Sequence, residues 1–246
     1  MPNITWSNGY IRNNDAALYY EVHPSVEEGA PLLICLHGNG EDMHIFDEHI
    51  APLLPYYTVI TPDSRAQGKS SAGERPLSYE LFAEDLFTLI NKLQIGNFLL
   101  LGFSDGGNTA LEFALRHQER VCAMILVGAN LSPEGLTATT RRGLQLLALG
   151  NGLRDLMSRG KRKDRDLVRL MLEHPHIEPQ QLEKVSIPTL VISGERDVIK
   201  NEHSELIAAS LPNARRVVIP GAGHFVMKDA PDEFSRIVLE FLMEDD

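Results

Sequence analysis

The stretch GFSDGG (residues 102–107) decides the fold. It matches the pattern G-x-S-x-G and lies between the apolar run NFLLLGF and the alanine-containing run GGNTALEFALRH. The first run is typical of a buried strand and the second of an amphipathic helix, so the glycines fall in a strand-to-helix turn. Glycines leave room there for a residue with a strained backbone. We therefore expect Ser104 to project from the end of a sheet.

Similar apolar runs recur along the chain and predict a mostly parallel sheet, because strands buried on both faces are continuously apolar. Besides the run before Ser104, they are PLLICLHG (31–38), YTVITPD (57–63), VCAMILVGA (121–129), TLVISGE (189–195) and RRVVIPG (215–221). Helix-like segments lie between most of them: 44–54, 78–93, 106–117, 201–211 and 231–242. This alternation predicts an α/β fold with helices on both faces of the sheet, preceded by a hairpin around residues 13–15.

The alternation is interrupted at residues 132–186, where helical patterns follow one another without a strand. We interpret this segment as an inserted helical cap on a core domain formed by 1–131 and 187–246. Its basic run RGKRKDR (159–165) is either a solvated helix face or a surface that steers an anionic substrate. Its apolar residues line an acyl pocket or hold the cap on the sheet: Leu144, Leu146, Leu147, Leu156, Leu170 and Met171.

Composition narrows the class of protein. A net charge of -11 argues against a general nucleic-acid binder, and 43% hydrophobic residues indicate a packed core. We find no run of about 20 apolar residues that would span a membrane and no leader-like N-terminus. The two cysteines, Cys35 and Cys122, lie in strand-like runs and are interpreted as core residues of a cytoplasmic protein. The oligomeric state is not encoded in any pattern that we can identify.

A serine hydroxyl needs a base and the base needs a carboxylate, and the sequence offers one of each after a predicted strand. His224 lies in the glycine-rich loop PGAGHF, and Asp197 lies in the loop GERDVI. The ends of parallel strands meet at one edge of a sheet, so both residues should approach Ser104. The chain order Ser104, Asp197, His224 is the order expected for this architecture. These three residues are our predicted catalytic residues.

The transition state also requires donors for the developing oxyanion. The loop LHGNGED follows the first parallel strand, and its glycines permit a tight backbone. We predict that the backbone N–H groups of Asn39 and Asp105 form the oxyanion hole. His37 is interpreted as a support for this loop rather than as a base.

Together these motifs resemble the α/β-hydrolase fold superfamily: HGNG, PDSRAQGKS, GFSDGG, GERD and GAGH, spread over nearly the whole chain. The resemblance implies acyl transfer to water through an acyl-enzyme on Ser104, with no metal or organic cofactor. The motifs are much less specific for a substrate, and a small-molecule ester is our own prediction. Serine at this turn speaks against the dehalogenases and epoxide hydrolases of the superfamily, in which aspartate is expected. Ala66 stands where glycine is common, a change that should alter loop shape more than chemistry.

The residues around the nucleophile are similar to the S-D-G-G pattern of valacyclovirase-like (biphenyl hydrolase-like) enzymes. That resemblance implies that Asp105 recognises the α-amino group of an amino-acid ester. Alternatively, the Asp105 side chain turns away to bond local backbone, and only its N–H acts on the substrate. Phe103 and Asp105, which flank Ser104, are the predicted substrate contacts.

Other functions share the same residues. C–C bond hydrolases and perhydrolases use a serine triad, and a receptor-like binding protein can keep a triad with little turnover. A purely structural protein would not react with a serine-directed probe. Cleavage of small carboxylic esters is the function that the sequence favours.

Overall fold

Eight strands form one sheet in the order β1-β2-β4-β3-β5-β6-β7-β8. The computed structural model describes residues 8–155 and 162–244. All pairs among β3 to β8 are parallel. At one edge of the sheet, β2 pairs antiparallel with β4, and β1 pairs antiparallel with β2. The strands are β1 Gly9–Asn13, β2 Ala16–His23, β3 Leu32–Leu36, β4 Thr58–Pro62, β5 Phe98–Phe103, β6 Val121–Val127, β7 Thr189–Gly194 and β8 Ala214–Ile219. The predicted hairpin and the six predicted parallel strands are confirmed.

Nine α-helices connect or cover the described strands, together with short 3-10 turns. They are α1 Asp47–Ile50, α2 Tyr79–Lys92, α3 Asp105–His117, α4 Ala138–Asp155, α5 Arg162–Glu173, α6 Pro179–Leu182, α7 Asn201–Ser210, α8 Val226–Asp229 and α9 Pro231–Met243. The helix predicted at 44–54 is shorter, a 3-10 turn at Met43–Phe46 followed by α1. Pro52 has no N–H to donate to the carbonyl of Glu48, so the helical ladder stops there.

The central strands are buried on both faces, as their continuous apolar sequences predict. In β3, Ile34 and Leu36 pack on the side of α2 and α3, and Leu33 and Cys35 on the side of α9. Each face of the sheet therefore has its own core, and both are covered by helices. Within the described residues, none of the helices has the length and apolarity to cross a bilayer.

One cysteine departs from the sequence prediction. Cys35 is buried, but Cys122 is exposed. The pairing of β5 with β6 changes register between Phe98 and Leu100, which oppose Val121 and Met124. The extra residue on β6 forms a bulge, and a bulge redirects side chains. The alternation expected for an uninterrupted strand therefore fails at Cys122.

A buried ionic cluster fastens the hairpin to the sheet. Arg65 is fully buried and donates from Nε and Nη2 to the two carboxylate oxygens of Asp85 at 2.8 and 2.7 Å. It also contacts Asp15 at 3.0 Å, while Asn13 Nδ2 donates to Asp85 at 2.7 Å. Bidentate pairing compensates the desolvation of these charges. The cluster joins β1, the loop after β4 and helix α2.

The residue next to Arg65 has an unusual backbone. Ala66 has a φ of +66°, in the left-handed region that favours glycine. The loop thus reaches a glycine-like conformation with an alanine.

Candidate active site

The turn around Ser104, the predicted nucleophile turn, has the strained backbone that its sequence predicts. Ser104 has φ 53° and ψ -115°, a conformation that non-glycine residues rarely adopt. A Cβ on Gly102 would lie 2.3 Å from the carbonyl oxygen of Gly106, and one on Gly106 would lie 2.1 Å from that of Leu36. No side chain fits at either position, so both glycines are required by the close approach of neighbouring backbone. The serine hydroxyl is left at the end of β5, before α3.

The three predicted catalytic residues lie within hydrogen-bond distance of one another. His224 Nε2 is 3.0 Å from Ser104 Oγ, and His224 Nδ1 is 2.6 Å from Asp197 Oδ1. The same Asp197 oxygen accepts the backbone N–H of Ile199 at 2.9 Å, which fixes the carboxylate. Because Asp197 accepts the Nδ1 proton, the neutral imidazole has its lone pair on Nε2, facing the serine. This arrangement can remove a proton from Ser104 during attack on a carbonyl.

Parallel pairing of β5, β6, β7 and β8 places these residues at one sheet edge. Ser104 follows β5, Asp197 follows β7 after three residues, and His224 follows β8 after five. The residues are separated by up to 120 positions in sequence, yet the topology alone brings their loops together. For this reason, a sequence pattern of alternating strands and helices predicts which loops meet at one sheet edge, even without knowledge of any contact.

The loop after β3 is supported by His37. Its Nδ1 donates to the carbonyl of Gly38 at 2.8 Å, and its Nε2 accepts the backbone N–H of Ser64 at 2.9 Å. Burial lowers the pKa of His37, which favours the neutral ring that both bonds require. His37 thus connects the loop after β3 to the loop after β4 and supports it, as predicted. Both ring nitrogens are used in these bonds, so His37 is not positioned to act as a base.

The backbone N–H groups of Asn39 and Asp105 belong to residues that line the same cavity as Ser104. Neither has a hydrogen-bond acceptor among the residues that the structure describes. Asp105 is the first residue of α3, where helix N–H groups are unpaired and the helix dipole favours negative charge. Both groups are available for an oxyanion.

The Asp105 side chain is buried, 4% exposed, and both of its oxygens accept hydrogen bonds. Tyr79 Oη donates to Oδ1 at 2.7 Å, and Asn39 Nδ2 donates to Oδ2 at 2.8 Å. Burial raises the pKa of Asp105 to about 6, although both donors oppose that shift. The second hydrogen of Asn39 Nδ2 is directed to the carbonyl oxygen of Leu167 in α5, at 3.1 Å.

A cavity of about 140 Å³ opens above Ser104. Phe103 and Phe225 form an aromatic wall beside His224, with ring centroids 5.0 to 5.6 Å apart. The segment between β6 and β7 also lines the cavity, through Leu136, Thr140, Leu144, Met171 and His174. The described lining contains the carboxyl groups of Glu41 and Asp105 but no lysine or arginine. Burial raises the pKa of Glu41 to about 7.

The apolar residues predicted for residues 132–186 divide into several groups. Leu144 and Met171 line the cavity, whereas Leu170 is buried against Tyr79 and Phe82. Leu146 and Leu147 are 70% and 51% exposed, and neither belongs to the described cavity lining or to the described core. Leu156 and positions 159–161 of the basic run lie outside the described residues. Asp164 and Arg165, whose side chains are described, do not line this cavity.

The sequence does not predict the roles of two side chains. It predicts only that Tyr79 belongs to a helix, and for Asn39 it predicts a role of the backbone N–H alone. Their contacts with Asp105 span 26 and 66 positions. The one available signal was the acid beside Ser104, since a buried carboxylate requires donors.

Comparison with known proteins supports the same architecture. Residues 31–156 match the alpha/beta hydrolase fold family. The chain is similar to the human serine hydrolase BPHL, with 27% identity over 250 residues that cover 93% of this chain and 84% of that protein. It is also similar to an sn-1-specific diacylglycerol lipase of Mus musculus, with 27% identity over 75% of this chain and 71% of that one.

Among solved structures, a hydrolase from Pseudomonas aeruginosa PA01 has a TM-score of 0.76 at 25% identity, covering 97% of this chain and 99% of that one. These relatives are hydrolases, and they confirm the predicted resemblance. Because the family match spans just over half of the chain and the sheet has the matching architecture, the chain belongs to the alpha/beta hydrolase fold family.

Proposed function

We propose that this protein is a serine hydrolase that cleaves carboxylic esters of small molecules through an acyl-enzyme. The observation that carries the proposal is the hydrogen-bonded chain Ser104–His224–Asp197 beneath a cavity. Relatives named as a serine hydrolase and a lipase support the reaction class.

In the proposed first half-reaction, Ser104 Oγ attacks the ester carbonyl carbon while His224 Nε2 takes the hydroxyl proton. Asp197 orients the imidazole and stabilises its cationic form. The carbonyl oxygen becomes an oxyanion that accepts from the N–H groups of Asn39 and Asp105. His224 then protonates the leaving alcohol, which departs from the acyl-enzyme.

In the second half-reaction, His224 removes a proton from water, which attacks the acyl carbon. The same two N–H groups stabilise the second oxyanion, and Ser104 leaves with the proton returned from His224. The proposed acyl pocket includes the Phe103 ring, which lines the cavity. The 140 Å³ cavity suits a short acyl group better than a long one.

We propose that residues 132–186 form a cap over a core domain of 1–131 and 187–246. Described residues of α4 and α5 supply one side of the cavity, which supports this division. Two unpaired cysteines suit a reducing compartment, so we propose that the protein acts in the cytoplasm.

The test is steady-state hydrolysis of p-nitrophenyl acetate and butyrate, combined with fluorophosphonate labelling and intact mass. The parent should turn over and take up one label, and Ser104→Ala should lose both properties. Loss of a triad serine lowers kcat by about 10⁶-fold. Ser210→Ala, which changes a partly exposed serine at the end of α7, is the matched control and should retain both properties.

Two outcomes would contradict the proposal. Equal turnover by Ser104→Ala would place the nucleophile elsewhere. One equivalent of product without further turnover would instead favour a receptor-like protein that cleaves one ester and retains its acyl group.

A further inference from the structure

The Asp105 carboxylate lies beside the nucleophile, but its contacts are with other parts of the protein. Tyr79 belongs to α2, Asn39 to the loop after β3, and Asp105 itself to the start of α3. Both donors are neutral, since burial raises the pKa of Tyr79 well above its usual range. Both carboxylate oxygens are therefore engaged within the fold.

A carboxylate at this position determines the orientation of the Asn39 amide. An ionised carboxylate only accepts hydrogen bonds, so it requires the NH₂ group of Asn39 rather than the amide oxygen. The amide uses one hydrogen for Asp105 and the other for Leu167. A single side chain thus bridges the nucleophile turn and helix α5, at 2.8 and 3.1 Å.

The bridge also connects the two proposed oxyanion donors. One donor is the backbone N–H of Asn39 and the other is that of Asp105, while the side chains of these same residues bond to each other. This side-chain bond therefore restrains the distance between the two N–H groups. Small displacements matter, because oxyanion donors act only at about 2.7 to 3.1 Å from the developing charge.

We infer that the Asp105 carboxylate is a positioning group that holds Asn39, and with it the oxyanion loop and helix α5, in place against the nucleophile turn. The inference rests on the proposed serine mechanism. It assigns to the Asp105 side chain a role separate from that of its N–H, which contacts the substrate. Its effect should fall on the chemical step rather than on binding.

The experiment compares Asn39→Ala with Asp105→Ala, since both variants keep the backbone N–H donors. Each should lower kcat for p-nitrophenyl acetate by about tenfold or more, less than the 10²–10³ of losing a donor altogether. KM should change by less than about twofold, because ground-state contacts remain. Asp105→Asn keeps an acceptor oxygen for Asn39 and should retain at least about five times the kcat of Asp105→Ala.

The double variant Asn39→Ala/Asp105→Ala should be hardly slower than either single variant, because both single changes break the same bond. Asn13→Ala is the matched control. It removes a buried asparagine-to-carboxylate bond of 2.7 Å, to Asp85, outside the site. This control should lower the melting temperature and leave kcat unchanged.

Unchanged kcat in Asn39→Ala, with a melting temperature lowered as in Asn13→Ala, would overturn the inference and leave a structural bond. Additive losses in the double variant would also overturn it. Failure of the proposed function is distinguishable, because it would appear as undiminished activity in Ser104→Ala.

Discussion

Asp85 and Asp105 are both buried carboxylates that accept a hydrogen bond from an asparagine. Of these two, only Asp85 also contacts a cation within the described residues. Arg65 contacts both oxygens of Asp85, whereas Asp105 has an amide and a phenol. Burial raises the pKa of both carboxyls. Arg65 offsets part of the cost of burying the Asp85 carboxylate, whereas no cation offsets that cost at Asp105 within the described residues.

The difference separates two uses of a buried charge. Around Asp85, complementary charges fasten the hairpin to the sheet, and nothing there faces a cavity that contains Ser104. Around Asp105, a partly uncompensated charge lies next to Ser104, the proposed nucleophile. Strain and unfavourable burial persist where the surrounding structure enforces them, and they concentrate at functional sites.

The largest expected effect is on the paired carboxylate. Arg65→Met should lower the free energy of unfolding by about 3–5 kcal/mol, because it leaves Asp85 buried without its cation. Urea unfolding at pH 7 measures the change. The kcat per probe-labelled molecule should stay within about twofold of the parent, because Arg65 does not line the catalytic cavity. A loss below 1 kcal/mol would erase the contrast between the two carboxylates.

The next prediction concerns the uncompensated carboxylate. Asp105 has a pKa of about 6 in the folded protein and an ordinary value of 3.8. The folded state thus binds this proton more tightly, and the resulting stability, complete below pH 3.8, is lost as the pH rises through 6. At pH 7 the ionised group costs about 3 kcal/mol of folding free energy.

Asp105→Asn should therefore raise the free energy of unfolding at pH 7, by up to about 3 kcal/mol, and the gain should shrink towards pH 4. Asp85→Asn is its matched control and should destabilise at pH 7, since Arg65 loses a charged partner. Urea unfolding at both pH values tests the pair. Destabilisation by both substitutions at pH 7 would show that Asp105 is as well compensated as Asp85.

A smaller effect is expected beside Arg65. Ala66→Gly should raise the free energy of unfolding by about 0.5–1 kcal/mol, because glycine adopts the φ of +66° without strain. Ala208→Gly in α7 should lose about 1 kcal/mol, the ordinary cost of glycine in a helix. Thermal unfolding of both variants measures the difference. Equal losses in both would show that the loop does not strain Ala66.

The two carboxylates also show which features could be predicted from the sequence and which could not. Strands, helices and the loops of Ser104, Asp197 and His224 follow from periodicity and from parallel topology. The partners of Asp105 do not, because Tyr79 and Asn39 reach it from elements whose relative rotation no local pattern specifies. The exposure of Cys122 could not be predicted for a similar reason, since one extra residue in β6 changes the pairing of this strand with β5.

The smallest expected effect addresses what Asp105 does toward a substrate. Asp105 is only 4% exposed and each of its oxygens already accepts a hydrogen bond, so we expect little of the carboxylate to be accessible to a substrate ammonium group. The ethyl ester of L-valine and its N-acetyl analogue should then be hydrolysed with kcat/KM values within about threefold of each other, a difference below about 0.7 kcal/mol. A preference for the free amine above tenfold that disappears in Asp105→Asn would instead make Asp105 the recognition site for the ammonium. In that case the bonds from Tyr79 and Asn39 would serve to aim a charge at the substrate, and the cost of leaving it without a cation would be offset only when the substrate binds.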